Sequence, residues 1–205
     1  MFALVESGSI TKYFSGNRGI IIGDNQYPKA IFTLWFKAER EAIGIYEIEF
    51  DTTKRKNEEW YTNTNITYVF GGGKVTGSYG DATAKAHADT LWTAQDEVDG
   101  KGTEGEVAAR GLKYNLIQTV KQQAAGILQE TDWYIIRKAD ASTAVPSATT
   151  THRAAVRTKC AQMETAITNA ANTPALETLY TYVNTGTEEN PVIESPLGEL
   201  PRLDS

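Results

Sequence analysis

Gly71–Ala84, GGGKVTGSYGDATA, holds the change of character on which the fold turns. Before it, EEWYTNTNITYVF alternates so that Trp60, Thr62, Ile66, Tyr68 and Phe70 fall on one face, the period of a half-buried strand. Three glycines then reverse the chain into KVTGSYG, a second strand, and the pair reads as a hairpin. From Asp81, which has the chemistry of a helix N-cap, the chain becomes rich in Ala, Gln and Lys and the strand signals stop. The reading is α+β: a small β-rich module over residues 1–80, a helical module over 81–184, and an extended acidic tail containing prolines over 185–205.

Working outward on the N-terminal side, FALV, ITKYF and GIIIG are short apolar runs separated by Ser7-Gly8 and Gly16-Asn17, which predicts short strands and tight turns. In AIFTLWFKAEREAIG, the residues Ile31, Leu34, Trp35, Ala38 and Ala42 recur at helical spacing and Gly44 supplies a stop. The following IYEIEFD alternates Ile45, Glu47 and Glu49 against Tyr46, Ile48 and Phe50, again a strand. GGGK is not a phosphate loop. It lacks the four-residue spacer, the hydroxyl residue after the lysine and the strand-to-helix setting that such a loop needs.

On the C-terminal side, helices are expected over about Ala82–Val98, Glu104–Gln129, Ser147–Ala170 and Pro174–Val183, with the glycine-rich DGKGTEG as a loop. Leu112, Leu116, Val120, Ala124 and Ile127 form one apolar stripe; Val156, Cys160, Met163, Ile167 and Ala170 form another. Each stripe needs a partner. Two stripes of this length predict a helical hairpin packed on itself rather than a sustained coiled coil.

The chain has 205 residues, 20 Lys and Arg against 26 Asp and Glu, and a formal charge of −6. That balance argues against nucleic acid as a partner, because phosphate contacts need a basic face. The charge is nonetheless uneven: Arg137, Lys138, Arg153, Arg157 and Lys159 stand against Asp140 alone. The single cysteine, Cys160, permits no intrachain disulfide and no thiolate zinc site. MFALVESGSITKYF does not read as a secretory signal, and no apolar run approaches the ~20 residues of a membrane helix.

Catalytic chemistry is sparse. Glu130 and Asp132 beside Trp133 are the best carboxylate pair, since an aromatic wall can raise a carboxyl pKa. A simpler reading makes Asp132 a turn residue and Trp133 a hydrophobic plug. His87 and His152 lack metal-ligand spacing, and Cys160 lies on an apolar stripe. No catalytic residue, metal ligand or cofactor site is assigned, and the expectation is binding or structure rather than catalysis.

ILQETDWYIIRKAD, followed by THRAAVR, resembles a pattern found in small phage tail proteins, the tail fibre assembly proteins or tail assembly chaperones. Those commonly have a Leu-Leu-x-x-(Ser/Thr)-Asp-Trp step, a loop, and a helix opening Tyr-Arg-x-Ala-Leu-Arg. Ile127, Leu128, Thr131, Asp132 and Trp133 match the first part here; Arg153, Ala155, Val156 and Arg157 match the second, with His152 where Tyr is usual. MFALVESGSITKYF and IFTLWFKAEREAIGIYEIEFD also resemble segments of related tail proteins. The resemblance implies that Trp133 folds back over the seam between the helices before and after it, while Asp132 holds the turn. Leu128 and Val156 belong to the same motif. Arg153 and Arg157, four apart, either pair with the acidic tail or face a partner.

The function so implied is a non-enzymatic tail protein bound to fibre or baseplate proteins in the virion tail, after assembly in the host cytoplasm. Fibres being usually trimeric, a trimer is expected. The alternatives are a dissociable assembly chaperone and a host-receptor module in which exposed Trp60, Tyr61 and Tyr79 stack on sugars. In the tail, Val192, Ile193, Leu197 and Leu200 are expected to lie in a groove of a neighbouring subunit, because a proline-rich segment has little freedom to lose.

Overall fold

A computed structural model describes residues 1–202, and the fold is α+β, with strands mostly in the N-terminal half and helices in the C-terminal half. The chain divides into two compact units, with the boundary between Thr83 and Ala84.

The first unit runs β1 (Phe2–Glu6), β2 (Ser9–Phe14), β3 (Ile20–Ile22), β4 (Asn25–Tyr27), a 3-10 turn (Lys29–Phe32), α1 (Lys37–Ala42), β5 (Ile45–Asp51), β6 (Tyr61–Thr62), β7 (Thr67–Gly71) and β8 (Lys74–Ser78). Five strands form one sheet in the order β2-β1-β5-β8-β7, with only the β5–β8 pair parallel. The predicted hairpin is β7–β8, although of its expected first strand only Thr67–Gly71 takes part and Tyr61–Thr62 belongs to a separate ribbon; Gly72 and Gly73 both take positive φ (59° and 75°), the geometry that a two-residue turn matching strand twist requires.

Both faces of β1 and β5 are covered, because alternate residues enter different clusters. Phe2, Leu4 and Ile45 pack with Ile20, Ile31 and Phe32 on one side. Ala3, Ile48 and Val75 form the other cluster, with Val5, Ile10, Tyr46, Tyr68 and Phe70 around them. The sheet curls so far that its two edge strands approach, and the rings of Tyr13 on β2 and Tyr68 on β7 lie 5.0 Å apart. The helix expected over residues 30–44 is shorter than its apolar period suggests. Only Lys37–Ala42 is α-helical, with the 3-10 turn before it placing Ile31 and Phe32 in the core while Leu34 stays exposed. Gly44 ends it as expected: φ is 82°, and a Cβ there would sit 2.7 Å from the Val5 carbonyl oxygen.

β9 (Thr83–Ala84) straddles the boundary, and the second unit continues with β10 (Thr90–Leu91), α2 (Ala94–Val98), β11 (Val107–Ala109), α3 (Leu112–Gln129), α4 (Asp132–Ala141), α5 (Ser147–Asn169), α6 (Thr173–Tyr180), β12 (Val183–Asn184) and β13 (Ile193–Glu194). The helix expected over Ala82–Val98 is therefore confined to α2. Thr93 caps α2, its hydroxyl oxygen accepting from the Asp96 amide while the Asp96 carboxylate accepts from the Thr93 amide; the Thr93 hydroxyl, with Lys101, holds that carboxyl down to about 2. Asp81 caps no helix and pairs instead with Lys54 at 2.9 Å.

Residues 85–89 have a tertiary task that overrides their alanine content. The first amides of α3, Leu112 and Lys113, donate to the carbonyls of Ala86 and His87, and the Gly111 amide donates to the Asp89 carboxylate. Gly111 offers no capping side chain, so this extended strap satisfies the donors that every helix start leaves open. It is also held from the other side, where the Thr173 hydroxyl donates to the Lys85 carbonyl at 2.6 Å.

The helical hairpin is present and antiparallel. Lys113 donates to the Thr168 carbonyl, Lys121 pairs with Glu164, and Arg153 reaches the Leu128 carbonyl, so α3 and α5 run past each other along their length. Every residue of the α5 stripe is buried, and Val120 and Ala124 face it from α3. The tail is not simply extended. β12 and β13 form a short hairpin, and beyond it the Leu197 amide donates to the Leu179 carbonyl while its side chain is buried in its own chain. The acidic residue Asp204 lies outside the described residues.

Candidate functional site

The helix α3 ends at Gln129 with Glu130 as its C-cap, and Thr131 (φ −114°, ψ 7°) breaks the path before α4 begins at Asp132. Leaving a helix exposes unpaired carbonyls, here that of Leu128 in particular. Arg153, one turn and a half into α5, answers that need. Its guanidinium donates to the Leu128 carbonyl at 2.6 Å and the Thr131 hydroxyl at 2.7 Å, and its second terminal nitrogen meets the Asp132 carboxylate at 2.8 Å. Thr131 adds its own amide and hydroxyl to the Leu128 oxygen, both at 3.1 Å. Asp132 also sits in the first turn of α4, where a negative charge favours the helix dipole.

Arg153 is 7% exposed and Val156, on the same α5 face, fully buried. The planar fork of an arginine suits three acceptors in this arrangement, where a lysine would offer one compact charge. Asp132 meets the turn through Arg153. The expectation that Arg153 faces a partner or the acidic tail is corrected by this bonding: its charge is spent inside the unit. Arg157, four residues on, is exposed and shares none of it.

Trp133 is the larger correction. It does not fold back over the helix seam: it is 50% exposed, and the seam is closed by Thr131 and Arg153 instead. The reason is a distant partner, since Arg153 fixes Asp132 at the start of α4. Trp133 is the second residue of α4, whose first turn is already fixed by Asp132, and its ring points along α4 to stack on Tyr134 (centroids 4.0 Å apart) under the Arg137 guanidinium at 4.6 Å. Such a cation over an indole face is a favourable exposed contact. Ile135 and Ile136 are exposed beside it, so α4 presents an aromatic, aliphatic and cationic surface.

The carboxylate pair separates for the same reason. Asp132 is committed to Arg153, whereas Glu130 lines a cleft of ≈ 610 Å³ with Ile127, Met163, Tyr182 and Leu197, and Trp133 forms no wall for either. Leu200 lines that cleft as well, half-buried, so Leu197 and Leu200 meet their own chain rather than a neighbour's groove. Val192 and Ile193 remain exposed. Of the three aromatics proposed for sugar stacking, Trp60 and Tyr61 are interior and Tyr79 is half-buried, so an exposed three-ring platform does not form. Tyr61 opens β6 and Trp60 ends the turn before it, in which both amides donate to the Asn57 carbonyl.

Among the described residues, no group of three His, Cys, Asp or Glu is placed to hold a metal ion, and no helix is long and apolar enough to cross a membrane. His152 is buried in α5 next to the Arg153 position. Cys160 is buried too, and burial, helped by Glu164, pushes its thiol above the ordinary value. A raised thiol pKa means less thiolate at neutral pH. Cys160 is therefore expected to react with a thiol reagent at neutral pH at least tenfold more slowly than the unfolded chain, a difference that a colorimetric time course with and without denaturant measures; equal rates would place the sulfur at the surface.

Sequence reasoning alone did not mark Thr131 as a ligand of Arg153, nor the exposed α4 face. A signal for the first existed: a small hydroxyl residue between two helices, with a basic residue on the following apolar stripe. Comparison of the chain with protein-family profiles, with curated proteins and with solved structures yields no match.

Proposed function

We propose that the protein is a non-enzymatic component of a bacteriophage tail, bound to neighbouring fibre or baseplate proteins. One observation supports this reading: Leu128, Thr131, Asp132 and Arg153, four of the positions at which the chain resembles tail-fibre-associated proteins, form one hydrogen-bonded knot although 25 residues separate Leu128 from Arg153. A set of separated motif residues that meets at one point is a structural unit, and its product here is the presentation of α4. An exposed surface carrying Trp, Ile and Arg has the composition enriched at protein interfaces.

Catalysis has less to draw on. The two carboxylates nearest each other in sequence, Glu130 and Asp132, have different surroundings, and one of them is already neutralised by Arg153.

Quantitative mass spectrometry of purified phage particles tests the reading. The protein is expected in a fixed ratio to the fibre or baseplate subunits. Its absence from mature particles, together with recovery on newly made fibre, would replace the structural role with that of a dissociable assembly chaperone.

A further inference from the structure

Charge in the second unit is segregated along the chain to a degree that its fold does not cancel. From Trp133 to Lys159 there are five cations (Arg137, Lys138, Arg153, Arg157, Lys159) and one acid, Asp140, a balance of 5 − 1 = +4. From Cys160 to Pro201 there are six glutamates and no Lys, Arg or Asp, a balance of −6. Some of this charge is spoken for: Arg153 is bound to Asp132, Glu164 to Lys121, and the Glu199 and Glu194 carboxylates accept from Tyr182 and Thr185. Besides Arg157 and Lys159 on α5, the remaining charge includes two places that lie beside exposed apolar side chains. Arg137 and Lys138 on α4 enter no ion pair among the described residues, and neither do Glu188 and Glu189 at the tip of the β12–β13 hairpin.

The two places also carry matching apolar surface. Trp133 and Ile136 are 50% and 67% exposed on α4, and Val192 and Ile193 are exposed on the hairpin. A two-stranded ribbon of this size is marginal in water by itself, because too little of its surface is covered. α4 likewise leaves exposed the hydrophobic side chains that would ordinarily be its packing face.

We infer that the β12–β13 hairpin of one copy of this chain docks on α4 of a second copy, the glutamates at Glu188 and Glu189 meeting Arg137 and Lys138 while Val192 and Ile193 cover Trp133 and Ile136. The occupant is a second copy because the chain itself carries the complement of each surface, in charge and in polarity. A pairing of two different patches gives a reciprocal dimer or, head to tail, a ring where the rotation closes and a filament where it does not. Complementary charge gives such a contact its specificity and speeds encounter, and the apolar patch supplies the burial. The inference stands apart from the tail reading: it concerns which surfaces of this chain join, whichever structure the assembly serves.

Two charge-reversed full-length proteins test it, R137E/K138E on α4 and E188K/E189K on the hairpin, studied by sedimentation equilibrium alone and as an equimolar mixture. The wild-type chain is expected to self-associate with rising concentration. The association weakens with added salt, since screening shortens the range of charge interactions from about 10 Å at 0.1 M to about 3 Å at 1 M. Each reversed protein alone places like charges together and is expected to lose roughly tenfold or more in association, because like-charge contacts at an interface are penalised. The mixture restores it, since the acidic α4 of one protein fits the basic hairpin of the other. Ile136→Asp, at a site too exposed to support the fold, weakens association with an unchanged melting curve. A wild-type chain that stays monomeric at submillimolar concentration overturns the inference, as does association that ignores both reversals or a mixture that remains monomeric. Monomeric wild type that binds a co-expressed tail protein through α4 would assign that surface to a different occupant.

Discussion

Arg153→Met is expected to destabilise the helical unit by about 3 kcal/mol, equivalent to a fall of roughly 10–15 °C in melting temperature for a unit of this size. Arg153 makes three charge-assisted contacts from a buried position, to the Leu128 carbonyl, the Thr131 hydroxyl and the Asp132 carboxylate. Methionine keeps the aliphatic stem and removes the fork. The Leu128 carbonyl then retains only the Thr131 donors, and Asp132 loses its counter-charge. Asp132→Asn is expected to cost less, about 1 kcal/mol, because that carboxylate is half exposed and water screens the pair. Arg153→Lys recovers little, since one ammonium cannot serve acceptors spread across a planar fork. Thermal unfolding followed by circular dichroism at 222 nm reads all three. A loss below about 1 kcal/mol for Arg153→Met would show that the knot orders the turn without stabilising the fold.

The second large effect distinguishes two tryptophans. Trp60→Ala is expected to cost roughly 3–5 kcal/mol, the range for emptying a large buried aromatic site, whereas Trp133→Ala is expected to cost under about 1 kcal/mol. The contrast follows from exposure, 2% for Trp60 against 50% for Trp133. Denaturant titration of the two variants checks it, and comparable losses would mean that Trp133 packs against something in solution. Trp133→Ala should register in self-association instead, where its ring forms part of the α4 surface.

The roles assigned to these two residues from sequence were the reverse, and the reason is physical. Periodicity reports which face of an element is apolar, and it succeeds where the element is regular. The α5 stripe from Val156 to Ala170 is buried throughout, β5 and the β7–β8 hairpin lie where alternation and the glycine turn put them, and the α3–α5 hairpin follows from two stripes of matched length. It fails where a residue's environment is set by a distant partner. Alanine content argues for a helix over residues 82–93, yet those backbone groups are used to cap α3 and to bind Thr173, contacts that no local window contains. Trp133 belongs to the same class. Nothing in TDWYIIRKAD tells that Asp132 is taken by an arginine 21 positions later, or that Thr131 and Arg153 close the seam the indole was expected to cover.

The curled sheet of the first unit has a consequence in time. β1 pairs with β2 through a two-residue turn, so that ribbon can form as soon as 14 residues are available. The remaining partners come late: β5 supplies residues 45–47 to the other side of β1, and β8, which joins β5 in parallel, ends at Ser78. Parallel and distant pairings must meet the entropy of closing long loops before any contact rewards them, which slows folding. During synthesis the central strand pair therefore waits, with one side of β5 unsatisfied, until nearly the whole unit has left the ribosome. Tyr13 can meet Tyr68 only after β7 has joined β8, and until β8 arrives β5 is an open strand edge on which a half-made chain would pair with another.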